Sequence, residues 1–469
     1  MASTQDTWPG NTPNLIPHDP PGTQHESARR FGLRDGIFQA TTQGTGEHYL
    51  SAFALLLQAT PLHLSVLSAL PQLVGTWAQI MSVKMSHWFP NRTAHVFWGI
   101  MGQSLAWLPI VTLPFVFPQW GPELVIAGAA LYFGCQHFTT PAWTSFVAEL
   151  LHDSERGAYF ARRAQLMALT SFVALSTGGL LLSLSTHFQS TGVGFALLFL
   201  AAGLARSISA YTLSTWTAAP SQPEAQTPRR FRTFLRHHTS PDFRRFLLFS
   251  GLMHMAVLIS GPFFVIYLLH DLHLPYWAYG TWLAASIIGQ FVTLPGWGRF
   301  SDQFGNKALL ACTSVVVAVL PMLYLVSPSW PFLVLVNFFG GVIWAGLSLG
   351  LSNYVLDAVR PEDRGQGVAV ASFVNAAGWT LGTVIGGWCI TSIPSTINLG
   401  LATLHPASNL PLIFFLSGLC RLAIAGSLLH TFRELRVVEQ RPLRQVIWEL
   451  PLVNLAARWT RTQLPTSSP

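Results

Sequence analysis

One acidic residue of this chain stands where an acidic residue is costly. Glu47 lies in QATTQGTGEH (residues 39–48), inside an apolar run. Gln39, Gln43 and Glu47 recur every four residues, the spacing that places side chains on one broad face of a helix. His48 is adjacent, and Gly44 and Gly46 leave room for a neighbouring helix. A carboxylate beside histidines in a partly dry site exchanges protons near neutral pH. A second polar cluster, CQHFTTPAW (135–143), supplies Gln136, His137 and Trp143, and His254, Asn337 and Trp344 come from apolar runs further on. These residues are the candidate proton-exchange and solute-cavity set. The plainer alternative has Glu47 bonded to Gln43 or His48 for packing alone. For His137 and His254 taken singly the plainer reading is preferred, because interior histidines often just satisfy neighbours.

A second kind of chemistry is pairing of charges at helix ends. ELLHDSERG (149–157) and DAVRPEDRG (357–365) each place a carboxylate six intervening residues before an Arg-Gly pair: Glu149 before Arg156, and Asp357 before Arg364. GRFSDQFGNK (298–307) adds Gly298, Arg299, Asp302, Gly305 and Lys307. Charges at the ends of helices in different bundles pair when that side closes and part when it opens. Partly exposed pairs are worth about 0–1 kcal/mol each, which suits an equilibrium that runs both ways. Read without gating, the same charges only fix topology.

The elements that must position these residues follow from composition. Of 469 residues, 50% are hydrophobic and 10% charged, against about a quarter charged in soluble domains. Apolar runs near 36–58, 62–84, 94–116, 123–148, 165–186, 191–216, 245–270, 276–299, 308–327, 331–356, 365–391 and 409–432 approach or exceed the roughly 20 residues a membrane-crossing helix needs. The hydrocarbon interior demands internally satisfied backbones, so these spans are helices. Glu47 is the one acidic residue near the middle of a span, where a charge costs about 2.5–3.5 kcal/mol and faces a cavity or a partner.

The 26 Lys and Arg residues fall almost entirely in the N-terminal segment, every second loop and the C-terminal tail. By the positive-inside rule both termini are cytoplasmic. The net charge of +7 therefore needs no nucleic-acid partner. Arg206 and Arg421 lie inside spans, where snorkelling to the interface or pairing with a nearby carboxylate is expected. Residues 1–35 read as a disordered cytoplasmic arm without a cleavable signal. Cys135, Cys312, Cys389 and Cys420 sit in spans at unrelated spacings, so neither a disulfide framework nor a metal site is expected.

The chain repeats itself. At an offset of 208 residues Gly386-Gly387 fall on Gly178-Gly179, and at 215 GLCR (418–421) falls on GLAR (203–206) and GRFSDQFGNK on VKMSHWFPNR (83–92). Two six-helix halves, 36–216 and 245–433, are therefore expected, joined by a central cytoplasmic loop at 217–244 and followed by a cytoplasmic tail at 434–469. Parallel repeats of this kind form transporters with the solute site between the halves.

With these features the sequence resembles the major facilitator superfamily. Gly298, Asp302, Gly305 and Lys307 match that family's G-x-x-x-D-x-x-G-x-[KR] loop, and the two acidic-Arg pairs are similar to those of its sugar-porter branch. The first-half loop departs from the pattern, with Val83, His87 and Pro90 at the expected Gly, Asp and Gly. The resemblance implies an all-α membrane protein of twelve transmembrane helices, whose first, fourth, seventh and tenth helices line a central cavity.

The expected function is secondary transport of a small solute across the cell membrane by alternating access. Glu47 couples it to a proton, and the protein is a monomer without cofactor or metal. Without a buried Arg or Lys in the first or seventh helix, a neutral or cationic solute is favoured. The alternative is a non-transporting membrane sensor or accessory subunit with the same fold. No P-loop occurs and no metal-ligand pair stands at a useful spacing, so neither ATP-driven transport nor an enzyme is expected.

Overall fold

A computed structural model describes residues 21–150, 153–214, 239–360, 363–393, 397–398, 403–404 and 408–436. The first 20 residues of the expected arm, most of the central loop and nearly all of the tail lie outside the described residues, as do the side chains of Glu149 and Arg156.

Helices occupy each of the twelve expected positions. They are α1 Pro21–Thr45, α2 Pro61–Met85, α3 Arg92–Val116, α4 Gly121–Leu150, α5 Asp153–His187, α6 Thr191–Ser214, α7 Pro241–Leu258, α8 Tyr276–Phe304, α9 Asn306–Val319, α10 Trp330–Ala358, α11 Arg364–Ser392 and α12 Leu410–Leu428. Among the described residues, nine helices are long and apolar enough to cross a membrane. Outside that set fall α8 and the two helices with the polar clusters, α1 and α4. A two-residue ladder pairs Ile397 with Leu404 between α11 and α12. The chain is an all-α, multi-pass membrane protein.

Local sequence explains where several helices start. Thr60, Asn91 and Ser240 cap α2, α3 and α7, each accepting a backbone N–H three residues on. Such caps satisfy donors that the first helical turn leaves free. Large apolar side chains such as Leu131, Leu180 and Leu381 stay more than half exposed on outward faces, as a surface solvated by lipid requires.

Two helices break where the repeat places the break. α1 stops at Thr45, passes through a 3-10 turn at Glu47–Tyr49 and resumes at Leu50–Leu56. Gly44 and Gly46 weaken the helix there and allow close packing: a side chain at Gly46 would strike Trp107. α7 stops at Leu258 and passes through a matching turn at Gly261–Phe263, where Pro262 has no N–H to continue the ladder. Broken helices at corresponding places in two repeats are a hallmark of solute sites.

In the first half α1 packs on α5 and α6, α4 on α2 and α3, and α3 on α6; in the second, α7 packs on α11 and α12, and α10 on α8 and α9. The halves meet along α5–α8 and α2–α11. Their contacts gather towards the end away from the described termini. Trp277 N–H donates to Ser183 Oγ at 2.8 Å, and Trp379 Nε1–H to the Ser68 carbonyl at 3.2 Å. The Tyr49 and Tyr279 rings meet edge-on at 6.2 Å. Below this seam the halves enclose a cavity.

Within the second half Gly378, Gly382 and Gly386 bring α11 against the α7 backbone. A Cβ at these positions would meet the carbonyl oxygens of Gly251, Met255 and Ile259. Backbone atoms cannot step aside, so Gly382→Leu is expected to lose about 3 kcal/mol or fail to accumulate. At Gly426, where added atoms meet open space, Ala should be neutral or stabilising by up to about 1 kcal/mol. Thermal melts of the detergent-purified variants compare the two.

Candidate functional site

The turn that interrupts α1 aims Glu47 at α4. Its Oε1 accepts hydrogen bonds from Tyr132 Oη–H at 2.6 Å and from Gln136 Nε2–H at 3.1 Å. Gln43 and His48, the partners of the plainer alternative, make neither bond. Glu47 lines a cavity of about 390 Å³ between the halves, with Ser68, Gln72, Pro262, Trp344 and Trp379 on its walls. Glu47 and Pro262 belong to the two matching breaks and face the same space.

The other expected residues divide among three places. Gln39, Gln136 and Trp143 line a second cavity of about 210 Å³ inside the first half. Asn337 and Trp344 line a third, also about 210 Å³, inside the second half with Trp282 and Tyr324. Asn337 is partly committed there, donating Nδ2–H to the Trp282 carbonyl at 2.5 Å. His254 bonds the Ser250 carbonyl at 2.9 Å and sets its ring edge-on to Trp344. His137 packs against Gly75 of α2. Neither histidine, nor Gln43 or His48, lines these three cavities.

The most heavily bonded charges were not expected. Asp35, taken from sequence as the end of the arm, is a helical residue of α1 and 1% exposed. Its Oδ1 accepts from Arg206 Nη1–H at 3.2 Å and Ser209 Oγ–H at 2.8 Å, and its Oδ2 from Arg163 Nη2–H at 3.3 Å. Arg163 also donates Nε–H to the Gly32 carbonyl at 3.1 Å and lies 4.4 Å over the Trp143 ring. The signal was present: Asp35, Gln39, Gln43 and Glu47 form one series four residues apart. It was cut because the hydropathy boundary fell at residue 36.

Arg206 thus pairs with a carboxylate, one of the two outcomes expected of it. Arg421 does neither. It is 5% exposed and donates to the carbonyls of Val317 at 2.8 Å and Val257 at 3.3 Å and to Ser260 Oγ at 2.9 Å. Both carbonyls lie in last helical turns, of α9 and α7, where unpaired oxygens and the helix dipole favour a cation.

The loop between α8 and α9 is built around Gly305, whose φ of +85° favours glycine and where an added Cβ would collide with the Glu434 carboxylate. Glu434 accepts the Lys307 backbone N–H at 2.6 Å. Asp357 pairs not with Arg364, which is exposed, but with Arg436, whose Nε–H donates to it at 2.7 Å. Asn306 Nδ2–H also donates to Asp357, at 2.6 Å. Those bonds from Asp357 hold the Arg436 guanidinium above its ordinary pKa. Arg436 reaches Asp302 more loosely, at 3.4 Å. Arg299 is exposed, and a side chain at Gly298 would meet nothing within 4 Å.

The sequence profile of the Major Facilitator Superfamily matches residues 246–419. Over most of the chain the fold alone is similar to those of solved transporters. The crystal structure of the nucleoside transporter NupG aligns with a TM-score of 0.62 at 12% identity, covering 87% of this chain and 100% of that one. A bacterial homologue of the iron transporter ferroportin, in an inward-facing state, aligns with a TM-score of 0.65 at 12% identity, over 86% of this chain and 98% of that one. Over residues 246–419 the chain is thus similar in sequence to the major facilitator superfamily, and over most of its length it is similar in fold to these solved transporters. A curated relative, Multidrug resistance protein 1 of Bacillus subtilis (strain 168), is 27% identical over 180 residues. That alignment covers 38% of this chain and 41% of the relative, so the chain spans about two fifths of the length of the curated relative it matches.

The buried charge set gives a direct test of its structural weight. Removing one partner of a buried ion pair leaves the others uncompensated, at about 3–5 kcal/mol. Asp35→Ala, which strands both Arg163 and Arg206, should lose about that much stability. Arg436→Ala, whose partners are part-exposed, should lose about 1 kcal/mol or less. Chemical denaturation of the two variants in one detergent reads the difference.

Proposed function

We propose that this chain is a secondary active transporter of the cell membrane that carries a small solute by alternating access, coupled to a proton on Glu47. The observation that carries this reading is the position of one 3-10 turn. Glu47 at its start lines the cavity between the halves. Tyr49 at its end is fully buried in their seam. Its Oη–H donates to the Leu175 carbonyl of α5 at 2.7 Å, and its ring meets Tyr279 of α8. A change in the charge of Glu47 is therefore delivered two residues away from the contact that keeps the halves together.

The seam lies at one end, and Gly298 at the opposite end of α8 faces open space. This arrangement corresponds to a state closed on one side and open on the side of the termini, which the charge distribution assigns to the cytoplasm. The Asp302, Asp357 and Arg436 cluster sits on the open side. It serves the cytoplasmic gate together with Glu149, Arg156, Arg299, Lys307 and Arg364, which become neighbours across the halves when that side closes. The proteins this chain is similar to include a nucleoside transporter and a multidrug resistance protein, so both uptake and export are open to this geometry.

Proteoliposomes with a trapped pH-sensitive dye test the coupling, with uridine, a lipophilic cationic dye and a hydroxylated carboxylate as solutes. One of these should drive lumenal pH change in the wild type and none in Glu47→Gln. Proton flux that survives Glu47→Gln removes the assignment, and silence with every solute favours a sensor. Gly298→Leu should melt like the wild type but slow flux about tenfold or more, because closure then meets a side chain where the open state has space.

A further inference from the structure

The cavity inside the first half carries more than Glu47 needs. Its walls bring Asp35, Arg163 and Arg206 together with Gln39, Gln136 and Trp143. Polar atoms on three of its lining residues have no partner among the described residues: Gln103 Oε1, Trp143 Nε1 and Arg206 Nε. Gln103 is 1% exposed and Arg206 3% exposed, so solvent at the surface does not satisfy them. Buried polar groups are ordinarily bonded, and orphans gathered around one space mark something that the space receives. Two of the three are donors and one is an acceptor.

The charges point the same way. Asp35 is one carboxylate shared by two guanidiniums, which leaves one positive charge in excess. Gln136 lines this cavity and donates to Glu47, so the two sites are one hydrogen-bonded unit. Arg206 also acts on Glu47 electrostatically across that distance. With Glu47 ionised, Asp35, Glu47, Arg163 and Arg206 sum to zero. With Glu47 protonated the same set holds an uncompensated positive charge in a medium that penalises it. The other ionisable neighbours are His48 in the turn, Tyr132 and His137 on α4, and His254 on α7. On the other side of Glu47, α2, α10 and α11 bring Ser68, Gln72, Trp344 and Trp379 to the cavity between the halves, and these do not titrate.

We propose that the first-half cavity is a binding site for a small hydroxylated organic anion, which it takes together with one proton on Glu47. The anionic group faces Arg206 Nε and the Arg163 guanidinium, and Trp143 Nε1–H adds a donor. A ligand hydroxyl supplies the proton that Gln103 Oε1 lacks. A space of about 210 Å³ has room for about seven waters at roughly 30 Å³ each, which limits the ligand to a compact one. This proposal departs from the preference for a neutral or cationic solute. The buried guanidiniums come from α5 and α6, and that preference weighed the first and seventh helices alone. The inference rests on the reading of Glu47 as a proton carrier, but its test does not need transport.

The test is thermal stabilisation of the purified full chain by gluconate and lactate, with sorbitol and glycerol as neutral counterparts, between about pH 5.5 and pH 8. One or both anions should stabilise at the acidic end, and their apparent affinity should weaken by up to about tenfold per pH unit as Glu47 ionises, the slope of a one-proton linkage. In Glu47→Gln the acid-end affinity should persist across the range. Trp143→Phe, which keeps the ring and removes the donor, should weaken the anions severalfold without changing the pH slope. Equal stabilisation by sorbitol overturns the proposal, as does absence of stabilisation by either anion at every pH. An anion response untouched by both substitutions overturns it too. Anion binding with this pH profile in a protein that moves no solute across vesicles would remove the transport reading and leave the site. Proton-coupled flux of uridine or the cationic dye without anion binding would do the reverse.

Discussion

A charge inside a low-dielectric bundle must meet an opposite charge or leave the bundle, and the first half of this protein is arranged around that constraint. Asp35 can be 1% exposed only because Arg163, Arg206 and Ser209 reach it from α5 and α6. Those bonds hold the lower part of α1 against two other helices, which sequence hydropathy alone would not have required. Removing any one group leaves the rest uncompensated at several kcal/mol. The second half solves the same problem differently. Arg421 has the place in the repeat that Arg206 has in the first half, yet its hydrogen bonds go to helix-end carbonyls and a serine.

This asymmetry gives the two halves different parts in the proposed cycle. The first half sets one midspan carboxylate beside a buried group of ion pairs: Glu47, bonded to Tyr132 and Gln136, lies one side chain from the Asp35 set. The second half offers an aromatic cavity and the well-bonded loop about Gly305. Coupling between them passes through the turn Glu47–Tyr49. It is short because Gly44 and Gly46 weaken α1, and rigid because Trp107 packs directly on Gly46. A rigid turn shared by a proton site and the seam is a mechanical link that requires no long chain of intermediaries.

The positions of the helices and the pairing of two halves were legible in the sequence, because apolar run length and the repeat of glycines and charges are set by the bilayer and by close packing. Glu47 was legible as a midspan carboxylate that must find a cavity or a partner, but its bond to Gln136 was not, since the neighbours in sequence, Gln43 and His48, were the partners on offer. Asp35 was missed for a definite reason. Helix α1 extends back to Pro21, beyond the apolar run, and tertiary ion pairs rather than lipid stabilise that extension. The partner of Asp357 was missed because Arg436 lies 79 residues away in the chain and no local spacing announces it. Tyr132 was missed because an apolar run hides a single hydroxyl.

The central claim is that Glu47 changes its charge while the ion pairs around Asp35 keep theirs. Infrared difference spectra of the purified protein between acidic and alkaline buffer report this directly, through the C=O stretch of a protonated carboxyl group. The account predicts a band that forms on acidification, is absent in Glu47→Gln and is accompanied by no second buried carboxyl band from Asp35. An unchanged band in Glu47→Gln would contradict it, as would a spectrum in which no buried carboxyl group takes up a proton.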